Sequence, residues 1–184
     1  MPLPPKIASI LRHCWHWLRD WRAHGLTLGL VLLVYAVLHS WQTWDVPRGA
    51  APAFTAAGAP AGRIDLEAWR QTHAGRAVAL YFWADWCPIC RLQQDSVNRL
   101  QDDWPVLTLA MQSGDAARVA GVLRQRGLAW TTAIDPDGGI ARRYGLGSVP
   151  AFIVLDAQGR IRFAEVGLSS ETGMRLRLWW AQHF

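Results

Sequence analysis

The sequence predicts an α/β domain, a mixed β-sheet flanked by helices, preceded by a transmembrane helix. Three observations carry this. From residue 77 onward, short apolar runs alternate with stretches of helical periodicity. Two late strands are joined by the turn Asp156-Ala157-Gln158-Gly159, and a helical pattern closes the chain. Thirdly, residues 26–38 carry no charge and are almost wholly aliphatic.

The elements are read in order. Asp65 caps a short helix over residues 66–73. Residues 77–84 form a buried central strand. A helix follows from Pro88 to about residue 103, with Cys90, Val97, Leu100 and Trp104 on one face. Residues 105–111 read as the next strand. Residues 116–126 read as a helix with Val119, Val122 and Leu123 inward, stopped by Gly127. A strand over residues 130–134 ends in the turn Asp135-Pro136-Asp137-Gly138-Gly139, and residues 140–144 make a helical turn. Strands over 150–155 and 161–166 form the hairpin. The last helix, 169–183, takes Ser169 or Ser170 as its cap.

The N-terminal third has a different character. Lys6, Arg12, Arg19 and Arg22 against Asp20 leave three positive charges in the first 24 residues, whereas 14 arginines face 12 carboxylates from Arg63 onward. The net charge of +5 therefore belongs to a tail, and no nucleic-acid groove is expected. Ile7, Ile10, Leu11, Cys14, Leu18 and Trp21 fall on one helical stripe, the pattern of a helix lying on a membrane surface. His13-Cys14-Trp15-His16 would point its ligands in different directions around such a helix, so no metal site is read there.

The uncharged stretch continues to Trp44, so a spanning helix over 25–44 is expected, with Trp17, Trp21, Trp41 and Trp44 as interfacial anchors. A cleaved signal peptide is the alternative, since Ala57-Gly58-Ala59 and Ala51-Pro52-Ala53 fit a cleavage pattern. The positive charges before the segment place residues 1–24 in the cytoplasm and the rest outside. Residues 45–62, rich in Ala, Pro and Gly, read as an unfolded linker, and the globular domain as residues 63–184.

Trp86-Cys87-Pro88-Ile89-Cys90 sits where strand 77–84 hands over to a helix. Free N–H groups and the macrodipole at a helix N-terminus favour a thiolate, so the pair is a site for thiol–disulfide exchange. Pro88 preorganises the first turn. Only three cysteines occur, with no second CxxC or closely spaced histidine pair, so no zinc site is expected.

The segments Phe82-Trp83-Ala84-Asp85-Trp86-Cys87-Pro88-Ile89-Cys90 and Tyr144-Gly145-Leu146-Gly147-Ser148-Val149-Pro150, in this element order, resemble the thioredoxin fold. More narrowly they resemble the membrane-anchored TlpA/ResA type, and within it the suppressor-of-copper-sensitivity D proteins. The resemblance implies a protein disulfide oxidoreductase of the bacterial inner membrane, single-pass, with a periplasmic catalytic domain. Cys87 would be the exposed nucleophile and Cys90 the resolving thiol. Their redox-active disulfide would be the only cofactor. Pro150 would be cis, leaving the Val149 backbone free to pair with substrate. Trp86 would either shield the disulfide or simply pack.

Two departures accompany the resemblance. Tyr81 occupies the strand position of the buried thioredoxin Asp, and Asp85 reads as a solvated carboxylate rather than its substitute. Ala151-Phe152 stands where cytochrome-maturation members carry an acid. Ile89 offers Cys87 no donor, which leans toward a reductase fed by a membrane electron donor and acting on extracytoplasmic protein thiols and disulfides. A disulfide-forming oxidase, a Cu(I)-binding module with thiolate ligands and a passive tethered adaptor are the alternatives.

Overall fold

A computed structural model describes residues 21–60 and 62–184. The chain divides into two units, residues 1–41 and 42–184. In the first, helix α1 (Trp21–Gln42) has 22 residues. Its Leu and Val side chains are exposed around the whole circumference, Leu26, Leu30, Val31, Leu32, Leu33 and Val37 among them. Even so, no helix among the described residues is long and apolar enough to cross a membrane. The apolar core of α1 is the 13 residues 26–38, about 20 Å of helix. Arg22 and His24 lie at one end, and His39, Ser40 and Gln42 at the other. The expected stripe over residues 7–18, with Cys14, lies outside the described residues.

The second unit is built on one eight-stranded sheet, in the order β1-β8-β7-β4-β5-β6-β2-β3. In chain order these are β1 (Gly49–Ala50), β2 (Thr55–Ala59), β3 (Arg63–Asp65), β4 (Val78–Trp83), β5 (Val106–Met111), β6 (Thr132–Asp135), β7 (Ala151–Leu155) and β8 (Arg160–Val166). The helices are α2 (Leu66–Gln71), α3 (Pro88–Leu100), α4 (Ala116–Gln125), α5 (Gly139–Arg143) and α6 (Glu171–His183). Strands β4, β5 and β6 run parallel, as helical crossovers require, and β7 and β8 join them antiparallel through the hairpin.

Strand β4 alternates with period two and divides the core. Ala79, Tyr81 and Trp83 face the cluster that also receives Val97 and Leu100 of α3, Val119 and Leu123 of α4, and Met174 and Leu178 of α6. Val78, Leu80 and Phe82 face the opposite cluster with Leu66, Ile140 and Tyr144. Every residue of β4 is buried, as a central strand covered on both faces demands.

The linker expected over residues 45–62 is corrected: much of it belongs to the sheet. β1 pairs with β8 at one edge, and β2 pairs with β6 and β3 at the other. Between them the chain crosses one face, anchored by buried Phe54 edge-on to Tyr144, and by the Tyr144 hydroxyl donating to the Pro52 carbonyl at 2.8 Å. Gly145, at φ +67°, lies beneath Asp45, whose carbonyl a Cβ at that position would strike. Small side chains contribute little strand propensity here. Backbone pairing and one aromatic anchor do the folding.

Candidate functional site

Cys87 closes the β4–α3 junction. Its backbone is extended (φ −85°, ψ 111°), it caps α3, and its Sγ accepts the Cys90 N–H at 3.1 Å. Pro88 takes the first helical position, where its missing N–H costs nothing. Cys87 and Cys90 form a disulfide, with Cα atoms 5.3 Å apart. The Val149 carbonyl oxygen lies 3.7 Å from Cys87 Sγ, and the Val149–Pro150 bond is cis. The Pro150 carbonyl in turn accepts the Gly167 N–H at 2.8 Å, fastening this loop to the end of β8.

The structure thus gathers Cys87, Cys90, Val149 and Pro150 from two distant segments. Trp86 and Ile89 flank them at the surface, 56% and 47% exposed, and Pro88 is also exposed. Trp86 is held in place, its Nε1 donating to the Gln112 carbonyl at 3.0 Å. The expected difference in exposure between the cysteines is not found, since each is 3% exposed. Val149 covers the outer sulfur as the helix covers the inner one.

Asp85 is a second correction. It is buried at 8% exposure rather than solvated. Arg118 reaches its Oδ2 through both Nη2 (2.7 Å) and Nε (3.2 Å), while Oδ1 has no hydrogen-bond partner. That hydrogen bond, reinforced by the carboxylate charge, holds the Arg118 guanidinium above its usual range. The Asp85 N–H donates to Ser113 Oγ at 3.0 Å, and its carbonyl accepts from Arg126 (2.9 Å) and Arg91 (3.3 Å). Burial pushes the Arg126 guanidinium down, and the neighbouring Arg91 charge adds to this.

Sequence reasoning did not find Arg118, Arg126 or the Gln112-Ser113 turn that clamps the active loop, because these partners lie 26 to 41 residues away, and nothing in the sequence marked Arg91, six residues on. Among the described residues, Gln112 is the non-glycine residue of positive φ (+49°), a conformation a long side chain adopts at a cost of about 1 kcal/mol or more.

Beneath the pair, Tyr81 OH and Trp83 Nε1 are buried without a hydrogen-bond partner, and Trp130 stands edge-on to both rings. Burial drives the Tyr81 hydroxyl well above the ordinary phenol range, so it remains a neutral donor. Gln93, one turn beyond Cys90, is fully buried and ties α3 to the β8–α6 loop by accepting the Ser169 N–H at 3.2 Å. Among the described residues no three His, Cys, Asp or Glu side chains gather as a metal site.

A cysteine pair at the mouth of the helix after the central strand, with Val149 against its sulfur, defines a thioredoxin-like dithiol protein. The chain belongs to the AhpC/TSA family, whose pattern matches residues 47–164. It is 33% identical over 106 residues to a thioredoxin-like protein of Haemophilus influenzae, covering 57% of this chain and 63% of that one. It is 28% identical over 116 residues to the thiol-disulfide oxidoreductase ResA of Bacillus thuringiensis, covering 60% and 64% respectively. The chain thus spans a little under two thirds of each of these relatives. Among solved structures, it resembles a Chlorobium tepidum protein proposed to be a thiol:disulfide interchange protein DsbE. That match has a TM-score of 0.65 and 25% identity, and covers 74% of this chain and 99% of the other.

Proposed function

We propose that this chain is an extracytoplasmic thiol–disulfide oxidoreductase that reduces protein disulfides through Cys87 and Cys90. The carrying observation is the disulfide at the N-terminus of α3, with Cys87 Sγ already accepting a helix N–H. In the reduced protein, that N–H and the helix dipole stabilise a Cys87 thiolate. This thiolate attacks one sulfur of a substrate disulfide, expelling the other as a thiolate. The Cys90 thiolate then attacks Cys87 Sγ, the second substrate thiolate leaves, and the Cys87–Cys90 disulfide closes. Two electrons pass to the substrate, whose sulfurs take up the protons. A dithiol donor at the membrane must then restore the pair.

The reductive direction rests on Ile89. Beside it, the donor to Cys87 Sγ among the described residues is the Cys90 N–H, while the nearby arginines are bound to Asp85 and not to sulfur. Membrane attachment rests on α1, whose apolar side chains are exposed on every side, a pattern suited to lipid or to burial in protein. The preceding basic residues orient it with the catalytic unit outside the cytoplasm. Kinship with the suppressor-of-copper-sensitivity D proteins belongs to the same reading and rests on the CPxC pair and the apolar N-terminal helix.

The test is insulin reduction with dithiothreitol as donor. The wild-type chain accelerates it, Cys87→Ser falls to the uncatalysed rate, and Cys90→Ser accumulates a mixed disulfide through Cys87. In glutathione buffers the pair equilibrates closer to about −270 mV than to about −120 mV. Mixed disulfides trapped through Cys90, or a potential at the oxidising end, would overturn the assignment of roles or of direction.

A further inference from the structure

Resting on that reading, we infer that Arg91 and Arg126 form a docking site for an acidic side chain close to the reacting cysteine of the partner polypeptide. The observation is an unsatisfied cationic pair at the edge of the site. Both guanidiniums converge on a single neutral acceptor, the Asp85 carbonyl, at 3.3 and 2.9 Å. Neither has a carboxylate partner among the described residues. The one acid of the cluster, Asp85, is occupied on the other side by Arg118. Three guanidiniums thus face one carboxylate, with Arg91 contributed by α3, Arg118 by α4 and Arg126 by the C-terminal cap of α4.

Arg76 and Arg143 also donate to backbone carbonyls, those of Asp103 and Ala53, but each has its acceptor to itself; the arginines of β8 and α6 differ further. Arg160 and Arg162 pair with Asp156, Arg177 with Glu165, and Arg175 with Asp103 and Glu171. Each positive charge on β8 and α6 therefore has its counter-charge within the fold. The Arg91–Arg126 pair lacks one. Burial first, and then the Arg91 charge, lower the affinity of Arg126 for its proton, and Arg126 is further fixed over the Trp83 ring, 5.9 Å from its centroid. A carboxylate between two such guanidiniums relieves the repulsion and gains charge-assisted hydrogen bonds.

The placement suits a substrate. Arg91 follows Cys90 in sequence, and the carbonyl it shares belongs to Asp85, two residues before Cys87. An extended segment advances about 3.3–3.6 Å per residue. On this assignment the pair takes a partner residue two or three positions from its own reacting cysteine, while that cysteine lies on Cys87. The partner class is a polypeptide whose disulfide is flanked by Asp or Glu.

The experiment uses the full chain and three disulfide-bonded peptides that differ only two and three residues from the cysteine, where they carry Asp-Glu, Gly-Gly or Lys-Lys. At low ionic strength the acidic peptide should be reduced at a kcat/KM about five-fold or more above the lysine peptide. Near 1 M salt, where charges are screened within about 3 Å, the ratio should fall toward one. Arg91→Gln and Arg126→Gln should each shrink the ratio and the double variant erase it, while Arg124→Gln, an exposed α4 neighbour outside the cluster, should retain it. Equal rates for the acidic and lysine peptides with the wild-type chain at low salt overturn the inference, and so does a ratio that survives in the double variant. Failure to reduce even the glycine peptide would instead overturn the thiol-exchange reading, and this inference with it.

Discussion

The N-termini of α3 and α4 are built on one plan and do different work. In α4, Asp115 caps the helix, its Oδ1 accepting the Arg118 N–H at 2.8 Å. In α3 the same geometry is filled by a sulfur, Cys87 Sγ accepting the Cys90 N–H at 3.1 Å. A carboxylate is a strong and permanent acceptor. A sulfur is a weak acceptor while oxidised, and becomes a strong one only as a thiolate. The first turns of α2 and α6 carry Glu67 and Glu171, whereas α3 carries no acid there. The end of α3 is thus left free for a charge that comes and goes with the redox cycle.

The largest effect should come from removing that reserve. Ile89→Glu places a permanent carboxylate in the first turn of α3, where it competes with the thiolate for the same field. The Cys87 thiol should then titrate higher than in the wild type, leaving less thiolate at neutral pH. The oxidised form, by contrast, should gain about 0.3–1 kcal/mol from the acid at the helix start. Thiolate ultraviolet absorbance and urea unfolding read the two changes. An unshifted thiol titration would show that the field at α3 does not control Cys87.

The opposite experiment is Asp115→Ala. Loss of a carboxylate cap costs about 1 kcal/mol, measured as a lower urea midpoint of the oxidised protein. The thiol titration should stay where it was, because Asp115 bonds the first turn of its own helix and neither cysteine. A shift comparable with that of Ile89→Glu would mean that the two helix ends act on the cysteines together.

Legibility followed the same division between local and distant effects. β4 and α3 could be read because a continuous apolar run and the helical stripe of Cys90, Val97 and Leu100 are local patterns, and the cysteine pair marks their junction. Strands β1 and β2 could not, because Gly49, Ala50 and the Ala- and Gly-rich residues 56–59 have no side chains that announce a strand, and their pairing with β8, β6 and β3 is what makes them strands. Nor could the burial of Asp85, since Arg118 lies 33 residues downstream. The covering of Cys87 by Val149 spans 62 residues. Its rough location followed from the resemblance, but the loss of any difference in exposure between the two cysteines did not.

The smallest effect concerns acid. Ala68 N–H and then the Thr55 hydroxyl hold the Asp65 carboxyl below its ordinary range, and hydrogen bonds from Arg99 and then Arg175 do the same for Glu171. In both, the folded form holds its proton less tightly than the unfolded chain. Their contribution is therefore complete above the ordinary carboxylate range near about pH 4 and is lost as pH falls through the lower folded values. Asp65→Asn keeps a competent capping oxygen, so stability near neutrality should barely change while the decline below about pH 4 becomes shallower. Glu171→Gln should act in the same direction, modestly, since exposed pairs are well screened. Urea midpoints at several pH values check both. Acid limbs parallel to wild type would mean that other carboxylates govern the loss. The oxidised cap of α3 has no proton to take up, so Cys87 should leave this limb untouched, which separates the redox-active helix end from those that serve only the fold.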